Sequence, residues 1–158
     1  MLYSKEFYAV LNQKLAKDGI LQQWLPEGDP AVRSSVARAL AESFPYVRAF
    51  QYFPDWGFQF LASKEPIPYR TGAELVQHMP PSAVRDLMEW PVDPTPEQEM
   101  SYVLRKEKSL GDFIAADPNA QAMRDDRPVN EYAMLRTLKA HRFQTDALVA
   151  WFEHTKTP

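Results

Sequence analysis

Gly19-Ile20-Leu21-Gln22-Gln23-Trp24-Leu25-Pro26 is a short, mostly apolar run, closed by a glycine on one side and a proline on the other. It is too short for a stable helix and reads as a strand covered on both faces. Upstream, Tyr3, Phe7, Val10, Leu11 and Leu15 fall at helical spacing over residues 3–18. Ser4 is placed to cap that helix, and Lys14 and Lys17 sit at the negative end of its dipole. Downstream, Asp29-Pro30 is a helix start, Val32, Val36 and Leu40 repeat every fourth residue, and Pro45 stops the pattern. Tyr46 to Phe53 is rich in aromatic and β-branched residues, and Pro54-Asp55-Trp56-Gly57 carries turn chemistry. Gly57 to Ser63 is the return strand, with Phe58, Phe60 and Ala62 on one face. Residues 1–64 thus spell helix, strand, helix, strand, strand, a parallel crossover followed by an antiparallel hairpin strand.

Beyond residue 64 the strand pattern stops. Thr71 caps a short helix to His78, and Pro80-Pro81-Ser82 opens another with Val84, Leu87 and Met88 on its apolar side. Five prolines between positions 80 and 96 force repeated turns. Thr95-Pro96-Glu97 starts a helix to about Lys106, and Ser109 starts a short one to Ala116. Residues 118–128 read as a loop, and a helical stretch runs from Asn130 towards His154. The reading is one compact α/β domain in two segments: 1–64, and a helical extension, 65–158, packed on it.

Composition removes several chemistries. The 158 residues are 45% hydrophobic and 25% charged, as in an ordinary folded domain. There is no cysteine, which excludes disulfides, thiolate catalysis and cysteine-ligated metals. No apolar run approaches the ~20 residues of a membrane span, and Asn12 and Gln13 interrupt any signal-peptide core. The expected location is cytoplasmic. The net charge is −3, with 8 basic and 8 acidic residues in 1–79 and 10 and 13 in 80–158. Neither half has the basic excess of a nucleic-acid binder. The five glycines, Gly19, Gly28, Gly57, Gly72 and Gly111, form neither a dinucleotide fingerprint nor a P-loop. No cradle for nucleotide phosphates is expected, and no cofactor. His78, His141 and His154 lack the i,i+3 or i,i+4 pairing of a metal site, and no serine-hydrolase elbow occurs.

Two sets of polar residues stand out. Gln22 and Gln23 lie inside an apolar strand, where amides need partners; one of them can serve an interface, or project where open α/β sheets bind ligands. Arg124-Asp125-Asp126-Arg127 is a charged loop, a pattern that is usually solvated. The aromatic set Tyr46, Phe50, Tyr52, Phe53, Trp56, Phe58 and Phe60, without a basic stripe, reads as core or interface rather than a base-stacking platform.

Three stretches together carry a family resemblance. Leu2-Tyr3-Ser4-Lys5-Glu6-Phe7-Tyr8 followed by Gly19 to Pro26, then Phe44-Pro45-Tyr46-Val47 with Gly57 to Ser63, and finally Asp125-Asp126-Arg127-Pro128-Val129-Asn130-Glu131-Tyr132 occur in family order. The chain resembles the C-terminal half of spermidine synthase-like proteins, nearest the bacterial branch fused to a transporter-like region. The resemblance covers residues 2–64 and 124–137. It implies part of a Rossmann-like sheet of the class I methyltransferase type, namely three strands in the order 5-7-6 with the last strand antiparallel. The family transfers an aminopropyl group from decarboxylated S-adenosylmethionine to a polyamine. Its donor loop, ribose-binding acid and catalytic aspartate precede the matched region, so no catalytic residue maps onto this chain. Gln23 matches a glutamine near the amine site, and Asp125 and Asp126 fall in the closing motif; these three are the candidate substrate-binding residues. The turn Phe53-Pro54-Asp55-Trp56-Gly57 departs from the family hairpin.

The resemblance implies a truncated transferase domain, not catalytic by itself, acting as an oligomeric interaction or structural module. The alternative is an aminopropyltransferase-like or polyamine-binding protein that completes its site with a partner or second subunit. A half-sheet exposes a strand edge, so a homodimer through that edge or the aromatic surface is expected, with an upstream half-domain as the other partner.

Overall fold

The computed structural model describes residues 2–51, 56–133, 135, 138 and 139. Helix α1 (Lys5–Lys14) is capped by Ser4, whose hydroxyl accepts the Phe7 N–H. It is shorter than the periodicity predicts. Leu15 turns to extended backbone, and its carbonyl accepts from Lys64 Nζ at 2.7 Å. Strand β1 (Ile20–Leu25) follows, then α2 (Pro30–Ser43), with Asp29 as cap and Pro30 in the first turn. Strands β2 (Tyr46–Phe50) and β3 (Phe58–Ser63) come next. The turn residues Tyr52 to Asp55 lie outside the described residues.

Among the described residues the sheet has four strands, where the sequence predicts three. The fourth, β4 (Glu107–Lys108), pairs with the end of β2 through Phe50↔Glu107 and Ala49↔Lys108. The order is β1-β3-β2-β4, with every pairing antiparallel. β1 and β2 therefore run in the same sense on either side of β3. Gly57 makes this packing possible. Its φ is +129°, and a Cβ there would come within 2.3 Å of the Leu25 carbonyl oxygen.

On one sheet face, Phe58, Phe60 and Ala62 are buried against Tyr8, Val36, Leu40 and Phe44 of the first two helices and their flanks. Helix α6 (Leu110–Ala115) joins that layer. Its Phe113 meets the rings of Phe58 and Phe60 edge-on, with centroids 4.7 and 5.2 Å apart, contacts worth ~1 kcal/mol each beyond burial. Ser34 of α2 is fully buried and clasps α6 from both sides. Its Oγ donates to the Phe113 carbonyl at 2.7 Å and accepts from the Asp117 N–H at 2.9 Å. Met123 adds a second stitch, its N–H bonding the Ser35 carbonyl and its carbonyl taking the Lys5 N–H. The core thus draws on both segments of the chain.

The opposite sheet face looks towards α3 (Gly72–His78) and α5 (Pro96–Arg105), with α4 (Pro81–Leu87) between them in sequence. A capping box of Thr71 and Glu74 starts α3, and Thr95 caps α5. Gly72 lets α3 and α5 touch. A Cβ there would stand 2.3 Å from the Glu97 carbonyl oxygen and 2.4 Å from Ser101 Oγ. A 3-10 turn covers Val129–Tyr132. The helical stretch expected towards His154 lies largely outside the described residues. Among the described residues, no helix is long and apolar enough to cross a membrane.

Candidate functional site

The C-terminal ends of the two same-sense strands, β1 and β2, open on one crevice of about 440 Å³. Glu27 follows β1, and Gln51 follows β2. Arg33 comes from the first turns of α2, Lys108 from β4, and Asp112 and Phe113 from α6. The Pro26–Asp29 connection sets Glu27 beside the start of α2. There its Oε1 accepts from Arg33 Nη1 at 2.8 Å and its Oε2 from Gln51 Nε2 at 3.3 Å. Arg33 also lies over the Phe58 ring, 5.6 Å from the centroid. One carboxylate therefore fastens the ends of both strands to the helix that joins them.

The formal charges of Glu27, Arg33, Lys108 and Asp112 cancel. Glu27 and Arg33 neutralise one another, whereas Lys108 and Asp112 make no ion pair among the described residues. The crevice thus offers one available ammonium and one available carboxylate over an aromatic floor, Phe58 and Phe113. It suits a small zwitterion or a strongly hydrogen-bonding molecule rather than a polyphosphate. Among the described residues, no group of histidine, aspartate and glutamate is placed to hold a metal ion.

The three residues predicted from the sequence lie elsewhere. Gln23 sits on the same sheet face as Leu21 and Leu25, opposite Phe60, and is partly buried. Its Nε2 donates to the carbonyl of Trp24 at 3.1 Å, an oxygen that also accepts from Tyr3 Oη at 3.1 Å. Asp125 and Asp126 form the tip of a tight turn closed by the Arg127 N–H to the Arg124 carbonyl at 3.0 Å. The Asp125 N–H donates to Glu6 Oε2 at 3.0 Å, and Arg124 pairs with Glu6 and Asp126. Hydrogen bonds from the Glu6 and Asp125 N–H groups hold the Glu6 carboxyl below its ordinary range. The turn is thereby pinned to the start of α1. Gln23 hydrogen-bonds at the end of β1 and the Asp125–Asp126 turn at the start of α1, and none of the three lines the crevice.

Sequence reasoning passed over Glu27, Arg33, Gln51, Lys108 and Asp112. Glu27 carried a usable signal, since it stands just past the end of a strand and just before a helix start, where α/β sheets place ligand contacts. Lys108 and Asp112 carried none, because Lys108 is placed by β4 and Asp112 by the docking of α6 on α2. Comparison with known protein families and with curated proteins finds no match.

Proposed function

We propose that this chain is the amine-side part of a spermidine synthase-like, partly Rossmann-like fold. In this reading it works as an interaction module without turnover of its own, and its crevice becomes a full site only with a second polypeptide. The observation that carries the reading is the pair of same-sense strands, joined by α2, whose C-terminal ends meet at Glu27 and Gln51. Ligands of open α/β sheets bind at that end. The glycines fit a donor site supplied by a second polypeptide. Gly57 and Gly72 are committed to backbone close approach, and no glycine-rich loop is left to cradle a nucleotide.

The docking side in this reading is β1, the sheet edge. Ile20 and Trp24 on it are about half exposed, at 48% and 50%. Tyr3 and Gln23 occupy the Trp24 carbonyl, so pairing with a second copy or an upstream half-domain starts from the Ile20–Gln22 end. Calorimetry with spermidine, methylthioadenosine and decarboxylated S-adenosylmethionine tests the reading, alongside product analysis and light scattering. The expected results are no nucleoside heat, no product from the isolated chain, and a dimer at high concentration. Nucleoside binding with turnover by the chain alone overturns the reading, and a monomer at high concentration removes the β1 edge as a homodimer interface.

A further inference from the structure

Among the described residues, the sheet face opposite the main core is not filled. Helices α3 and α5 pack closely on one another at Gly72 and lie over the strands. Between them and the sheet lies a cavity of about 470 Å³. Its walls are apolar: Ile20 and Leu61 from the sheet, Leu75 from α3, and Met100, Val103 and Leu104 from α5. An apolar recess open to solvent keeps hydrophobic surface in contact with water, which folding normally removes. Its size falls in the range of ligand pockets, ~300–1,000 Å³.

The polar groups around it are arranged to be neutral inside and positive at the rim. Arg48 is largely covered, and its guanidinium makes two 2.8 Å bonds to the carboxylate of Glu107. The aromatic rings of Tyr69 and Phe50 flank it, with centroids 4.3 and 5.1 Å away. That pair brings no net charge. Gln22 Nε2 donates to Gln59 Oε1 at 2.7 Å, and both neutral amides line the cavity. Arg70, at the rim, is exposed and makes no ion pair among the described residues. Glu74 feels the charge of Arg70 but makes no ion pair with it among the described residues, its Oε2 being bound by the Thr71 N–H and hydroxyl.

From this we infer that the cavity is a binding site for an amphipathic carboxylate, its alkyl chain under α3 and α5 and its carboxylate on Arg70. The inference is independent of the crevice at the strand ends.

Titration calorimetry of the full chain with hexanoate, octanoate and decanoate, and with decanol and decylamine, tests it. Affinity should rise about fourfold per added CH₂, the increment of apolar burial. Among the ten-carbon probes, decanoate should bind best and decylamine worst. Arg70→Glu should weaken decanoate at least about tenfold and leave decanol unchanged. Val103→Phe, which fills the space, should weaken decanoate and decanol alike. The head-group series on the unmodified chain keeps the test valid if Val103→Phe fails to fold. No saturable decanoate binding, equal binding of decylamine, or an unchanged decanoate affinity in Arg70→Glu each overturns the inference.

Discussion

Ser34 and Ser35 are neighbours on α2, both buried, at 0% and 1% exposure, and they should respond oppositely to replacement by alanine. Ser34 Oγ bonds the Phe113 carbonyl and the Asp117 N–H, whereas Ser35 Oγ has no hydrogen-bond partner among the described residues. Ser34→Ala strands the Phe113 carbonyl, a buried backbone acceptor, at a cost of ~1–3 kcal/mol. The Asp117 N–H is only partly buried and recovers some of its loss from water. Alanine returns ~0.5 kcal/mol of helix propensity at either position. The net for Ser34→Ala is a loss of about 2 kcal/mol, which in a chain of this size lowers Tm by ~4–8 °C. Ser35→Ala removes an unpaired buried hydroxyl and should leave stability unchanged or raise it by up to ~1 kcal/mol. Thermal and urea unfolding followed by circular dichroism measures both. Equal losses, or a larger loss for Ser35→Ala, would refute the assignment of Ser34 as the clasp between α2 and α6.

Gly72→Ala pushes a methyl into the Glu97 carbonyl and Ser101, so overpacking of ~1–3 kcal/mol should outweigh the propensity gain; hydrogen exchange should speed up first in α3 and α5, and unchanged exchange there would contradict the close-packing argument. Glu74 is held below the usual carboxylate range first by the Thr71 N–H, then by its hydroxyl, with the charges of Arg70 and His78 adding to this. Its folded pKa is therefore lower than its unfolded one, about 4.3. The cap's contribution is complete above that value and is lost as pH falls through the lower folded pKa. An NMR titration of the Thr71 amide should show a midpoint below the ordinary glutamate value, and Glu74→Gln should abolish the transition; a midpoint at or above that value counts against the capping box.

Helix starts were the most legible feature, because the chemistry of a cap is local. Ser4, Asp29, Thr71, Thr95 and Ser109 each accept a backbone N–H at the helix they open. The alternation of Phe58, Phe60 and Ala62 likewise gave the buried face of β3 from spacing alone. Strand β4 was not legible. Glu107-Lys108 has no apolar alternation and is a strand only because Ala49 and Phe50 pair with it. The crevice inherits that blindness at Lys108. Glu99 shows the same limit inside a helix. It is fully buried, and Oε2 accepts from the N–H groups of Val92 and Asp93 at 2.8 and 2.7 Å. A charged residue in an amphipathic helix otherwise reads as solvent-facing, and only the demand of a proline-bounded loop for acceptors distinguishes it.

Met123 has a consequence for the order in which the molecule can be made. It is fully buried, and its backbone lies between Lys5 at the start of α1 and Ser35 in α2. During synthesis the first two helices and three strands emerge long before this residue does. Until it arrives, the seam between those helices lacks the Met123 side chain and its two backbone hydrogen bonds. The early half of the chain must wait on the ribosome for its closing stitch, and a ribosome that stalls before residue 123 would release a polypeptide with an unfinished interior.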